Sequence, residues 1–454
     1  MSAPAWPLAV ASGQRHLLLA RQALRLLFGP PERRSFGVRL WNGQQDGPHH
    51  PAVTLVLRRA GALRRMLLPP SDLSMAEGYL FGDFDIEGDI EALLAGLVPL
   101  AARLLSPAVW VRLLPLLLGL PADDAPPHPT RAAAHEGETH SEERDASSIR
   151  YHYDVGNNFY ALWLDRQMVY SCAYFETGQE TLEVAQEAKL ERICRKLRLQ
   201  AGEHLLDIGS GWGALAIHAA RHHGVRVTGI TLSPAQAEVA RRRAQEAGVE
   251  GRVSFLLRDY RELPQGQLFD KVASVGMVEH VGRTRLPGYF AQVHRLLKPG
   301  GLFLNHGIVA AGTPGFVRWG FGLVERYLNA HSFIQEYVFP DGDLRRVSET
   351  LGRAEEAGFE TRDVENLREH YALTLREWVR RLEAHRAEIV AAQGEVTYRI
   401  WRLYMAGSAG SFVAGRIGVV QSLLAKPAAD GRAGVPLGRA DIEGQPVGPS
   451  AALY

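Results

Sequence analysis

Cysteine is nearly missing from this chain: Cys172 and Cys194 are the two thiols in 454 residues. Two thiols exclude a disulfide framework, and without a Cys-x-x-Cys pair they form no zinc pattern, so no metal set is expected. Such usage fits a reduced, cytosolic compartment. Net charge is also scarce. Lys and Arg number 51 against 50 Asp and Glu, a formal charge of +1, so no overall basicity points to nucleic acid. Long unbroken apolar runs are lacking as well. The N-terminal stretch has no basic start, and Arg15 and Arg21 interrupt its apolar run, so it is not read as a signal peptide. The most apolar stretch, residues 91–121, contains Arg103, Pro107, Arg112 and Pro115, which argues against a spanning helix. It reads as two buried amphipathic helices, with an interfacial, lipid-facing surface as the sharper alternative.

What is present suffices for two domains with real cores, since 46% of the residues are hydrophobic. Residues 1–120 read as a small α+β module. In it, 51–68 alternate like two strands around a glycine turn, and 74–97 read as helix, loop and helix. Residues 121–147 are rich in Pro, His and acids, a linker composition; the string HEGETH within it is read as a by-product of that composition rather than a metal site. From about residue 148 to 427 strands alternate with helices, which predicts an α/β, doubly wound parallel sheet. FETRDVENL and VVQSLLAKP supply its last strands. Residues 428–454, rich in Gly, Ala and Pro, are expected to be a disordered tail.

LLDIGSGWG places Gly209, Gly211 and Gly213 directly after a strand, where backbone can approach a ligand closely. The third glycine falls one position early for a dinucleotide fingerprint, and the next strand ends without an acid, which counts against NAD. No Lys or Arg sits in the turn to meet a phosphate. Asp207, just before the turn, suits the cationic methionine end of S-adenosylmethionine. Asp259 and Tyr260, at the end of the third strand segment, suit an adenine ring. Cys172, in MVYSCAYF, reads as nucleophile, disulfide half, metal ligand or packing residue; count and spacing remove the disulfide and the metal. No basic neighbour in the stretch lowers its pKa.

Taken together, YHYDVGNNFYALWLDRQMVYSCAYF, LLDIGSGWG, GITLSPAQ, RDYREL, GMVEHVG and EYVFPDGDL resemble the cyclopropane-fatty-acyl-phospholipid synthase family. The resemblance covers residues 148–427 well and the N-terminal module more loosely, through AEGYLFGDFDIEGDI. It implies a class I methyltransferase fold, Rossmann-like, with an added helical lid. It implies attack of a cis double bond of an unsaturated phospholipid acyl chain on the methyl of S-adenosylmethionine. The resulting carbocation would lose a proton to bound bicarbonate and close a ring. The alkene is the nucleophile, so the site must be dry and must stabilise a cation.

By the same resemblance, Tyr170 and Ser171 would touch the cofactor, and Thr231, Leu232 and Gln236 would bind its ribose and adenine. Cys172 would donate its backbone N–H or thiol to bicarbonate. Glu279 would hold the bicarbonate proton, His306 and the backbone of Ile308 would complete the anion cradle, and Tyr371 would face the cation. Bland roles stand beside these: an ion pair of Glu279 with Arg283, a satisfied loop histidine at 306, and core packing for Tyr371 and Cys172. Some family members carry a cysteine where this chain has Ser408. A second departure is the segment 312–332, whose Phe316, Trp319, Phe321 and Tyr327 beside Arg318 and Arg326 read as an amphipathic lid or as a local packing helix. The resemblance also implies peripheral contact with the inner face of the membrane and a homodimer. The rival readings are a mid-chain methyl- or methylene-branching enzyme that shares the site, a small-molecule methyltransferase, and a non-catalytic lipid-binding protein.

Overall fold

The computed structural model describes residues 6–104, 106–122, 124, 128, 144, 156–264, 266–311, 332–339 and 342–444. Most of the expected linker over 121–147, the HEGETH string, and all of the expected lid except Ser332 lie outside the described residues. The chain divides into two compact units. The first comprises Met1–Ala133, Thr313–Val338 and Arg386–Gly410, the second Ala134–Gly312, Phe339–His385 and Ser411–Tyr454.

In the first unit, helix α1 (Trp6–Phe28) precedes strands β1 (Gly37–Arg39), β2 (Gln45–Asp46) and β3 (Val53–Leu57). Helices α2 (Ala62–Leu67) and α3 (Asp72–Leu80), strand β4 (Phe84–Gly88), and helices α4 (Ile90–Leu104) and α5 (Pro107–Leu118) follow. The strands form one sheet in the order β2-β1-β3-β4. Two local readings change here. The segment after the glycine turn at 61 is helix α2, because Ala62, Leu63, Met66 and Leu67 bury one helical stripe. The expected loop around 84–88 is β4, which pairs antiparallel with β3. The boundary changes too, since Arg386–Gly410 belongs with this unit. Arg399 Nη1 donates to the carbonyl of Tyr79 at 2.6 Å, and Arg402 Nη2 donates to that of Gly88 at 3.0 Å. Such bonds at a sequence separation above 300 residues leave no local mark in the sequence. Helix α5 buries Leu113 and Leu117 and leaves Val111, Leu114 and Leu118 exposed. No helix among the described residues is long and apolar enough to cross a membrane.

The second unit starts with the short helix α6 (Asn157–Ala161) and helix α7 (Leu182–Leu197). Then come β5 (His204–Ile208), α8 (Ala214–His223), β6 (Arg226–Thr231), α9 (Pro234–Glu246), β7 (Val253–Leu257) and β8 (Phe269–Val275). Helix α10 (Leu286–Leu296), β9 (Leu297–Ala310), α11 (Val347–Glu356), β10 (Glu360–Asn366), α12 (Arg368–Ala384) and β11 (Ile417–Ala425) complete it. The seven-stranded sheet runs β10-β11-β9-β8-β5-β6-β7. Strands β5 to β9 are mutually parallel, and β11 pairs antiparallel with both β9 and β10. Neighbouring residues face opposite cores: Leu205 packs with α7 and α8, and Leu206 packs with α10 and α11. Strand order reverses beside β5, which places a crevice at its carboxyl end.

Residues 428–444 correct the expectation of a disordered tail. Ala433 and Ile442 are buried, and Asp441 pairs with Arg198 at 2.7 Å. Glu443 pairs with Arg192 at 3.0 Å, and Arg439 pairs with Asp363. Small residues made the segment look unstructured; its few charges and apolar side chains anchor it.

Gly213 caps α8 at φ +84°, and a Cβ there would lie 2.6 Å from the Phe255 ring. Gly213→Ala is therefore expected to lower stability by about 2–4 kcal/mol, from left-handed strain plus overpacking. Urea unfolding would measure it; an unchanged midpoint would refute the contact.

Candidate functional site

The crevice beside β5 is an open cleft of about 1250 Å³ including its mouth. Tyr170, Ser171, Asp207, Gly209, Gly211, Thr231, Leu232, Gln236, Asp259 and Tyr260 all border it. Strand ends bring them together: Asp207 near the end of β5, Thr231 at the end of β6, Asp259 just past β7. The turn after β5 is tied to β6, because the N–H groups of Gly209 and Ser210 both donate to the carbonyl of Ile230, at 3.0 and 2.9 Å. Gly211 has φ +52° and open space where a side chain would stand, so its backbone faces the cleft bare.

Asp207 is 2% exposed, and its Oδ2 has no hydrogen-bond partner among the described residues. Burial pushes its carboxyl up to about 7, while the Lys189 ammonium pulls the other way. Lys189 also borders the cleft and is itself 2% exposed. Its Nζ donates to Ser171 Oγ at 2.9 Å, and burial brings its pKa down to about 8. One turn earlier on α7, Gln186 Nε2 donates to the carbonyls of Val169 and Ser171 at 3.2 and 2.9 Å. A single helix face thus holds the segment 169–171 against the turn.

Other cleft residues are already engaged. Thr231 Oγ1 donates to Gln236 Oε1 at 2.8 Å. Asp259 accepts from Arg261 Nε at 2.8 Å and Nη2 at 2.7 Å, so the acid expected to meet adenine is held by a guanidinium. Tyr170 packs within an aromatic group, 5.5 Å from Tyr160 and 5.3 Å from Trp378 between ring centres.

The residues expected to act catalytically do not border this cleft. Glu279 lies on the short 3-10 turn Val278–His280, whose His280 faces the cleft while Val278 and Glu279 line a small recess with Ile308, Asp343 and Arg345. Glu279 Oε1 accepts from the N–H of Ile308 at 2.7 Å. Its Oε2 is buried without a hydrogen-bond partner among the described residues, and burial pushes the carboxyl up to about 7. The alternative ion pair is absent, because Arg283 pairs with Glu349 at 3.3 Å. His306, two residues before Ile308, is 2% exposed and receives a hydrogen bond from Gln421 Nε2 to Nδ1 at 3.2 Å. Burial, helped by Lys189 and Lys196, lowers its pKa to about 3, so the ring is neutral at physiological pH. Cys172 is fully buried; its one S–H is within reach of the carbonyls of Ala173 and Leu367, with Sγ at 3.2 and 3.7 Å. Burial raises its pKa despite Lys189, which leaves it a protonated thiol. The Leu367 carbonyl also accepts from the N–H of Tyr371, so these two meet at one carbonyl. The Tyr371 ring packs at a tilt on Phe412, 4.8 Å between ring centres.

Lys189, Trp212, Met277 and His280 border the cleft without having been expected there. For Lys189 a signal existed. It falls on the buried stripe Leu182, Gln186, Leu190, Ile193 and Leu197 of α7, where a lysine is out of place unless it has a task.

The sequence pattern described as mycolic acid cyclopropane synthetase matches residues 140–422. A "probable fatty acid methyltransferase" of Pseudomonas putida is 40% identical over 406 residues, covering 89% of this chain and 95% of that protein. The cyclopropane-fatty-acyl-phospholipid synthase of Escherichia coli K12 is 38% identical over 280 residues, 62% of this chain and 68% of that one. Among solved structures, mycolic acid cyclopropane synthase CmaA1 complexed with SAH and CTAB is similar, with a TM-score of 0.57 and 33% identity. That likeness covers 62% of this chain and 97% of the other. The second unit accordingly has the class I methyltransferase fold. A pattern matching well over half the residues and a relative aligned along most of its length place this chain in the mycolic acid cyclopropane synthetase family.

Proposed function

We propose that this chain transfers the methyl carbon of S-adenosylmethionine to a cis double bond of an unsaturated phospholipid acyl chain, forming a cyclopropane ring. The observation that carries the reading is the buried Asp207 carboxylate at the strand end, with one oxygen unanswered, in a cleft floored by bare glycine backbone. A buried carboxylate without a partner favours a cationic ligand, and a sulfonium with an ammonium beside it is one. When bound, the cofactor supplies an electrophilic methyl group. The chain's own part is to hold it: Asp207 at the cationic end, Gly209 and Gly211 at the backbone, Thr231, Leu232 and Gln236 at the ribose and base, and Tyr260 along the ring. Asp259 would reach the base through, or after release from, Arg261. Lys189 is a positioning residue, fixing Ser171 and lowering the pKa of Asp207.

The late proton is assigned to Glu279. Its free Oε2 and a carboxyl near neutrality suit a group that takes up a proton at physiological pH. Bicarbonate fits less well. The Ile308 N–H is spent on Glu279 and the Cys172 thiol on carbonyls, which leaves the Cys172 backbone N–H as the remaining expected donor to an anion. His306 is a neutral imidazole bonded to Gln421, and Tyr371 packs on Phe412, so neither offers the recess a charge.

A second reading is mid-chain methyl or methylene branching, since the Pseudomonas putida relative is a probable fatty acid methyltransferase rather than a cyclopropane synthase by name. The exposed Val111, Leu114 and Leu118 of α5 support contact with a bilayer surface, consistent with a cytoplasmic, peripheral enzyme. Incubation with cofactor and vesicles of unsaturated phospholipid decides among these. Cyclopropane formation appears as a mass gain of one CH₂ with ring protons in the NMR spectrum. The same mass gain with vinylidene protons would replace ring formation by methylene branching, and no gain would remove the enzyme reading. Flotation of the same vesicles tests membrane contact, which a protein left at the bottom of the gradient would refute.

Affinity for the cofactor should rise with pH through about 7 as Asp207 ionises, falling by up to about tenfold per unit below that value. Lys189→Met should move this midpoint upward, because the lysine lowers the Asp207 pKa, and Asp207→Asn should flatten the profile. Calorimetric titration from pH 5.5 to 8.5 checks it; a flat wild-type profile would rule Asp207 out. Glu279→Gln should cut turnover by about 10²–10⁴-fold while leaving cofactor affinity nearly unchanged. Loss of cofactor binding in that variant would overturn the proton role.

A further inference from the structure

Behind the cleft, where α7 packs on α8, four polar side chains converge that the proposed chemistry does not use. Cys194, His218 and His223 each offer a ligand atom, and these atoms lie within 4.8 Å of one another. Glu191, one turn before Cys194, binds both imidazoles: its Oε2 is 3.2 Å from His218 Nε2 and 3.0 Å from His223 Nε2. Cys194 is fully buried, His218 is 7% exposed and His223 is 18% exposed at the side chain. Leu190, Leu197, Leu215, Ala219 and Ala220 around them are all buried, and the His222 ring lies 4.6 Å from that of His218. Glu191 already ties the two imidazoles together, and the thiol beside them completes a set of metal-ligating atoms.

We propose that Cys194, His218 and His223 bind one divalent transition-metal ion of the zinc type. Thiolate and imidazole together are the ligands zinc takes in tetrahedral sites, with bonds of about 2.0–2.1 Å to nitrogen and about 2.3 Å to sulfur. Ligand atoms around such an ion stand roughly 3.3–3.8 Å apart, so side-chain adjustments of about 1 Å bring this set to bonding distance. Glu191 supplies the carboxylate that zinc-bound histidines commonly have beside them, fixing both rings. Arg195 Nε, 2.8 Å from Glu191 Oε1, holds that carboxylate in turn. The partly exposed edge at His223 is the way in for the ion. Bound there, the metal would fasten the last turn of α8 to α7, the helix that carries Lys189 to the cleft.

The test uses the purified full chain, stripped with chelator and titrated with Co²⁺, then Zn²⁺. One equivalent of Co²⁺ should give intense visible bands of a tetrahedral ion and a near-ultraviolet thiolate-to-cobalt band, both abolished by Zn²⁺. Cys194→Ala should remove the thiolate band. His223→Gln should weaken Zn²⁺ binding by more than the ~10–100-fold that loss of an outer partner costs. Pale bands without a thiolate feature, or bands unchanged in both variants, would overturn the site and assign binding to other histidines or to Cys172. Should Cys194→Ala not fold, the His223→Gln titration, at the exposed edge, decides alone. None of these readouts depends on methyl transfer.

Discussion

A carboxyl group taken out of water at the end of a strand is stable as an anion only if a cation answers it. Asp207 is in that position: no group among the described residues bonds its Oδ2, and Lys189, on a helix that packs behind the strand, lowers its pKa only through space. The amine itself is bonded to Ser171, so three stretches distant in sequence meet near one charge. The segment 169–171, the helix α7 and the glycine turn are shaped by that meeting. With both groups shifted toward neutrality, the cleft is neither strongly anionic nor strongly cationic at rest. A cationic ligand tips a balance that the pair leaves nearly even.

The turn Val278–His280 divides the labour of the second unit. One side looks into the cleft through His280, the other into the recess through Glu279. Under the proposed reaction the proton lost is one of the transferred methyl carbon, so this short piece of backbone has to bring the two sides within reach of one carbon.

How much of this could be read from the chain follows from the range of the forces involved. The strand, glycine turn and helix of residues 203–224 are local, and both the sheet and the residues bordering the cleft follow from strand ends. Helix α2 and strand β4 were misread because five or six residues are too few for periodicity to separate the two. Arg399 and Arg402 bind carbonyls far away in sequence, so their assignment to the first unit required the fold. The thiol–imidazole group of α7 and α8 was invisible for the same reason: spacing along the sequence said nothing of two helices brought side by side. Lys189 is different. Its place on an apolar helical stripe was open to reading and was passed over. The place of Asp259 at a strand end suits an adenine ring, and the guanidinium two residues on that holds it is an ordinary neighbour in the sequence.

The ordered stretch 428–444 has one practical reach. Asp441 and Glu443 grip Arg198 and Arg192, at the end of and within the helix that bears Lys189. Anything fused close behind residue 444, such as a purification handle or a fluorescent reporter, would tug on that helix from outside. A label far from the chemistry in sequence would then be mechanically adjacent to it, and a handle at the other end of the chain would spare the grip.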